Sequence, residues 1–189
     1  MQPVIDFISN HTNITEEELN AMTEMLHFSS HEKNEILQRQ GEISKRAAFI
    51  VKGAVRSFYM DEKGIEHTIG FAFENQPLVA FDSFTQQTPA GVSAVILEPT
   101  DLVWTSHSEF FDFLEAFPKY ESVLRNILSQ SMSLEGEQRK LLRIRSSKER
   151  YEALCKMSPE IIQRVPQKYI ASYLDMALET LSRVRAGKL

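Results

Sequence analysis

Apolar positions follow three successive rhythms along the 189 residues. In residues 1–26, Ile14, Leu19, Met22, Met25 and Leu26 recur at near-helical spacing behind a Thr15…Glu18 capping box, which predicts helix. From about residue 28 to 105 the rhythm changes to short β-branched and aromatic runs. These predict strands over Glu35–Arg39, Ala47–Val51, Ala54–Met60, Glu66–Phe73, Val92–Leu97 and Asp101–Thr105. Gly41, Gly53 and Gly64 fall in the gaps, and Asp61-Glu62-Lys63-Gly64 is a hairpin signal. Many short strands with no helices between them predict a small antiparallel barrel or roll.

Helical spacing returns at Ser106, opened by a Ser106…Glu109 box, and Pro118 sits where a longer helix begins. Tyr120, Ile127, Leu134 and Leu141 then repeat every seven residues, with Leu124 leading the companion seam. Such a stripe serves either as core packing or as a parallel dimer helix. It outlasts the face that a small roll covers, which favours the dimer seam. A third box, Ser146…Glu149, starts a new unit after Arg145, and Ser158-Pro159 reads as an N-cap followed by proline at the first helical position. The chain is therefore expected to be α+β: a roll with N-terminal helices (1–117), a long helix (118–145) and an all-helical end (146–189).

Composition narrows the classes. Hydrophobic residues make up 42% and charged residues 25%, enough apolar content for a buried core. The longest apolar runs are only a few residues, such as Val95–Leu97, where a membrane span needs ~20. The N-terminus lacks a basic region followed by an apolar one, so no secretory signal is expected. Cys155 is alone, which excludes a disulfide within the chain and a four-cysteine metal site. A cytoplasmic protein is the expectation. Charge is unevenly spread: residues 143–189 carry ten Lys/Arg against five Asp/Glu, a net +5, while the remaining 142 residues carry −10. A basic tail on an acidic body fits an anionic partner, nucleic acid first, and equally a solvated basic helix pair.

The tail decides more than its charge. In residues 166–185, Ile170, Ala171 and Leu174 form one short apolar face, and Met176, Leu181 and Val184 form another. The helical phase slips between them at Asp175-Met176-Ala177, as in two short helices joined by a tight turn. The second helix would carry Glu179, Thr180, Ser182, Arg183 and Arg185 outward, where Glu accepts from cytosine N4 and Arg donates to guanine O6 and N7. The runs Ile170-Ala171-Ser172-Tyr173-Leu174 and Glu179-Thr180-Leu181-Ser182-Arg183-Val184, together with the order of roll, long helix and helix pair, resemble the Crp/Fnr family of bacterial transcription regulators.

That resemblance implies a cyclic-nucleotide-binding-like roll, a dimerisation helix using Tyr120, Leu124, Ile127, Leu134 and Leu141, and a C-terminal DNA-binding helix-turn-helix. It implies that Glu179 and Arg183 read bases in double-stranded DNA, with Lys168, Thr180, Ser182, Arg185 and Lys188 placed for phosphates and positioning. RNA polymerase and a small-molecule effector come with it as partners that no residue identifies. The chain also departs from the family pattern. Leu178 stands where cAMP-responsive members have a further base-reading Arg, Asp175 where a Gly makes the turn, and Ala177 where an N-cap Ser or Thr is usual. With Leu189 four residues beyond Arg185, no full wing is expected.

The effector side is apolar. The phosphate cassette of the nucleotide-binding relatives would fall on Ala80-Phe81 and Ala90-Gly91, and no Arg lies between Arg56 and Arg125, so cAMP and cGMP are not expected as ligands. Phe71, Phe73, Phe81 and Trp104 would either fill the roll or line an apolar effector pocket. No metal site is expected: of the five histidines only His27 and His31 share an i, i+4 spacing, near a helix end. No cofactor is expected. Neither is catalysis, since no nucleophile elbow, phosphate loop or Cys/His pair occurs, and Asp82-Ser83 and Glu98 are isolated. The competing reading is a small-molecule-binding roll whose C-terminal helices dock a protein partner instead of DNA.

Overall fold

The computed structural model describes residues 1–188, apart from the side chains of Gln130 and Leu134. Two helices lead, α1 (Gln2–Ser9) and α2 (Glu16–Met25). The Thr15 capping box forms as expected: its hydroxyl accepts from the Glu18 amide while Glu18 reaches back to the Thr15 amide at 2.8 Å. The strands are β1 (His27–His31), β2 (Ile36–Gln38), β3 (Arg46–Lys52), β4 (Val55–Met60), β5 (Glu66–Ala72), β6 (Pro77–Leu78), β7 (Ser93–Ile96) and β8 (Thr100–Ser106), with a short helix α3 (Phe81–Gln86) between β6 and β7. They make two antiparallel four-stranded sheets, ordered β1-β8-β3-β6 and β2-β7-β4-β5. The expected roll is present.

Three elements differ from the sequence expectation. β1 pairs with β8 from His27↔Trp104 to His31↔Thr100, so His27 and His31 lie on a strand that begins directly after the C-cap of α2. Each histidine has its own carboxylate: His27 lies 2.7 Å from Glu109 and His31 2.7 Å from Glu35. β6 and α3 carry no periodic signal of their own, being two and six residues long.

Two apolar cores fill this part of the chain. Ile50, Val55, Ala94, Ile96 and Leu102 meet between the sheets. Val4, Met22, Leu26, Phe49, Val103 and Phe113 form the second, where α1, α2 and helix α4 (His107–Ala116) pack on the outer face of the first sheet. Ser106 caps α4 with the full reciprocal box. A 3₁₀ turn (Pro118–Tyr120) then leads into α5 (Glu121–Leu142). Tyr120 belongs to the second core, 4% exposed, with its ring on Phe113 at 5.0 Å and its hydroxyl donating to Glu18 at 3.2 Å. Lys119 pairs with the same carboxylate at 2.7 Å. This cation and the Thr15 amide hold Glu18 down at about 2, while burial and Glu18 push the Tyr120 phenol up to about 12.

The remaining helices are α6 (Ser147–Met157), α7 (Pro159–Arg164), α8 (Gln167–Tyr173) and α9 (Leu178–Arg185). Ser146 makes only half of the expected box, accepting from the Glu149 amide. Ser158 makes no side-chain cap, so Pro159 alone pre-sets the start of α7. The chain divides into two compact units, Met1–Ser57 with Phe71–Leu128, and Phe58–Gly70 with Ser129–Leu189. These cut the chain elsewhere than the three-part division read from sequence. The β4–β5 hairpin groups with the C-terminal helices because Ser172 of α8 accepts from the Thr68 amide at 2.9 Å and donates to the Glu66 carbonyl at 3.3 Å.

Candidate nucleic-acid interface

Helix α8 ends because Asp175 adopts the left-handed conformation, φ +49°. The Met176 amide then donates to the Ala171 carbonyl at 3.0 Å and the Asp175 amide to Ser172 at 3.2 Å. This pair of bonds is the Schellman closure that glycine usually makes, here made by an aspartate that tolerates the same backbone. Ala177 then starts α9 with no side-chain cap, as the sequence implied. Ile170, Ala171, Leu174, Leu181 and Val184 are all buried and lock α9 against α8, with Leu154 of α6 and Ile161 of α7 also buried in this unit.

Locking one face of α9 sets what the other presents. Leu178, Glu179, Ser182, Arg183 and Arg185 are exposed, and Thr180 is half-buried. Among the described residues, the side chains of Glu179, Ser182, Arg183 and Lys188 have no hydrogen bond or ion pair within the chain. Glu179 and Arg183 are one turn apart on one face. Lys188 follows a second left-handed closure, in which Gly187 has φ +67° and the Lys188 amide donates to the Arg183 carbonyl at 2.9 Å. Lys168 opens α8 with its ammonium 4.6 Å from the Tyr169 ring. Arg185 has a neighbour in Tyr151: burial and a Cys155 hydrogen bond raise that phenol, and Arg185 pulls it back down.

The expected dimer seam is rearranged. Tyr120 and Leu141 are 4% and 2% exposed within their own protomer, and Leu124 and Ile127 are half-buried against the second core. The seven-residue repeat was therefore in large part core packing. The Leu134 side chain lies outside the described residues. What α5 leaves open is a stripe that shares Leu124 with the expected seam. Leu124 and Leu128, with Phe111, Leu114 and Pro118, line a groove of 630 Å³. One turn further on, Met132 is 73% exposed.

The roll also encloses a cavity of 710 Å³, and of the four residues expected to line an effector pocket only Trp104 does so. Ala72 packs on the inner core, so its neighbour Phe71 projects from the other face of β5, and Phe73, just past the end of that strand, is buried outside the cavity lining. Phe81 opens α3. Ala80, at the place of the expected phosphate cassette, lines the cavity, and Ala90 is buried. Sequence reasoning missed Arg46, whose guanidinium lies over the Trp104 ring, 3.9 Å from its centroid. Among the described residues no cluster of His, Cys, Asp and Glu could hold a metal, and no helix is long and apolar enough to cross a membrane.

The family model described as the cyclic nucleotide-binding domain matches residues 28–117, which span β1 to the end of α4. No curated protein is significantly similar in sequence. Several solved structures share the fold. FixK2 from Bradyrhizobium japonicum matches with a TM-score of 0.72 at 17% identity, over 86% of this chain and 83% of its own. CLP from Xanthomonas campestris, described as a c-di-GMP responsive global regulator, matches with a TM-score of 0.73 at 14% identity, over 92% of this chain and 91% of its own. A protein from Eubacterium rectale assigned to the Crp/Fnr family of transcriptional regulators matches with a TM-score of 0.74 at 13% identity, over 92% and 83%.

Proposed function

We propose that this chain, whose residues 28–117 match the cyclic nucleotide-binding domain and whose fold is shared with solved Crp/Fnr regulators, acts as a dimeric, sequence-specific DNA-binding regulator. The observation that carries the reading is the free face of α9. Its buried residues fix the helix, and Glu179 and Arg183 stand on the other side with no partner among the described residues. A helix in the major groove reads with such side chains: Arg183 donates to a guanine edge, and Glu179 accepts from cytosine or holds Arg183 in register. Thr180, Ser182, Arg185, Lys168 and Lys188 meet phosphates, which position the helix without specifying sequence.

Two-fold pairing supplies the second recognition helix. The open stripe of Leu124, Leu128 and Met132 on α5 is the surface a second copy covers, and the operator is then a pseudo-palindrome with half-sites ~34 Å apart. Changing Leu128 and Met132 together to Glu should give monomers by light scattering. A double variant that stays dimeric places the interface elsewhere. A cyclic nucleotide is not the effector in this reading, because alanines occupy the phosphate cassette.

Selection from randomised duplexes tests the DNA assignment. Wild type should return one palindromic motif. Arg183→Ala should cost about 1–3 kcal/mol per half-site and relax one base pair, whereas Lys188→Ala should weaken all sequences evenly and reduce the salt slope by about one. An unchanged motif with Arg183→Ala means that α9 is not the reading helix. No motif from wild type, with no salt-dependent binding, leaves protein docking as the role of these helices.

A further inference from the structure

We propose that the roll cavity is a binding site for a small organic anion: an apolar body seated between the sheets, and a carboxylate-type head held by Arg46. This goes beyond the DNA reading and does not depend on it.

The cavity has two chemically different ends. Leu37, Leu78, Val79, Val92, Ala94 and Leu102 give it an aliphatic interior, and its 710 Å³ is within the size range of small-molecule sites. Ser57 adds a polar group to this interior, as Gln38 and Ser44 do elsewhere in the lining. Its strand places it on the same face as Val55, which is buried in the inner core. Among the described residues its hydroxyl has no hydrogen-bond partner.

Cationic groups stand at the other end. The β3–β8 register sets Ala48 opposite Trp104 and Ile50 opposite Leu102, all on the inward face of the first sheet. Arg46 is two residues before Ala48, hence on that same face, at the open end of the strand. Its guanidinium stacks on the Trp104 ring at 3.9 Å. The ring contact uses none of the guanidinium's N–H donors, which among the described residues have no partner, and such a fork takes a carboxylate with two parallel bonds. Among the described residues no carboxylate of the chain takes that place, and Lys45 beside it is also without an acidic partner.

The other charged and titratable groups of the lining are Glu42, which is exposed, and His31, whose ring is already engaged by Glu35 and Ser29. The mouth thus keeps a net positive charge, with Arg46 at the start of β3 and Lys45 just before it. An apolar chamber with free cations at its entrance discriminates for anions over neutral molecules of equal shape. The same layout argues against a cyclic phosphate: here the cation sits at the start of β3, not in the segment between β6 and β7 where Ala80 and Ala90 lie.

Trp104 is the only tryptophan, so its fluorescence reports this cavity alone. The full chain is titrated with 4-tert-butylbenzoate and with decanoate, an aromatic and an aliphatic body on the same head. The neutral 4-tert-butylbenzyl alcohol and cAMP are the comparisons. Calorimetry runs in parallel, because Arg46→Gln alters the emission of Trp104 directly. At least one anion should bind saturably with a change in Trp104 emission, and the one that binds assigns the body. The alcohol should bind at least tenfold more weakly than the benzoate, and Arg46→Gln, at an exposed position, should cost the bound anion at least tenfold.

The proposal is overturned if neither anion binds at millimolar concentration, if the alcohol matches the benzoate, if Arg46→Gln binds like wild type, or if cAMP binds in their place. The two readings fail separately. A chain that binds an anion but selects no DNA sequence refutes the DNA assignment alone. A chain that selects an operator and ignores both anions refutes this one alone.

Discussion

Leu178 supplies the sharpest prediction about how α9 meets DNA. It is the first residue of that helix and 43% exposed, an apolar side chain where the cAMP-responsive pattern has a base-reading Arg. The first turn of a recognition helix goes deepest into the major groove. The thymine methyl is the apolar group presented there, so Leu178 should sit on one thymine in each half-site. Burying a methyl is worth ~0.8 kcal/mol, or about fourfold per half-site and about 15-fold for both halves of a dimer site. The assay needs no guess about the operator. Each thymine of the selected site is replaced in turn by deoxyuridine, which removes the methyl and keeps every hydrogen bond, and affinity is read by fluorescence anisotropy. One symmetric pair of positions should show the loss, and with Leu178→Ser the loss at that pair should vanish while Arg183 still reads its guanine. The reasoning is refuted if no position responds by more than twofold, or if Leu178→Ser leaves the deoxyuridine penalty intact.

Other expectations concern stability. Leu181 has no exposed surface and joins α9 to α8, so Leu181→Ala should cost about 2–5 kcal/mol in urea titrations followed by circular dichroism. Gly53 has φ +106°, and a Cβ there would come within 2.7 Å of the Thr100 Cα; Gly53→Ala should therefore lose roughly 2–6 kcal/mol, read as a lowered thermal midpoint. Glu18 is held at about 2, well below its ordinary 4.5, so the stability it contributes is complete above pH 4.5 and is lost as pH falls toward 2. Urea midpoints across that window should fall less steeply in Glu18→Gln than in wild type; equal slopes would mean that Lys119 and the Thr15 amide do not stabilise the ionised form.

What was legible in the sequence was local. The boxes at Thr15 and Ser106 form because their partners lie three residues away, and the Asp61–Gly64 turn forms because Asp61 itself accepts from the Lys63 and Ile65 amides at 2.9 Å. The helix pair was legible for the same reason: turn, buried face and free face all fit within residues 167–185. Elements defined by distant partners were not. His27-Phe28-Ser29-Ser30-His31 has little strand character until β8 supplies its hydrogen bonds. A seven-residue repeat marks a stripe without saying what covers it. Tyr120 is claimed by Glu18, 102 residues earlier, and so turns inward.

The same logic explains why the two ends of the molecule differ in how they can be read. The residues proposed to read bases stand out because the helix need only hold them on one face, the other half of the chemistry being the base edges of DNA. A cavity is instead a shape left between strands, and its lining here runs from His31 to Trp104. Aromatic content pointed to Phe71, Phe73 and Phe81, yet strand alternation turns Phe71 away once Ala72 faces inward, and Phe73 lies past the end of β5. Arg46 carries no motif. It matters because Ala48 pairs with Trp104 across the sheet, and one register step in either direction would place Arg46 on the opposite face. On the two proposals made for this chain, a variant that kept the Glu179…Arg183 helix but lost that register should select the same DNA and no longer bind the anion.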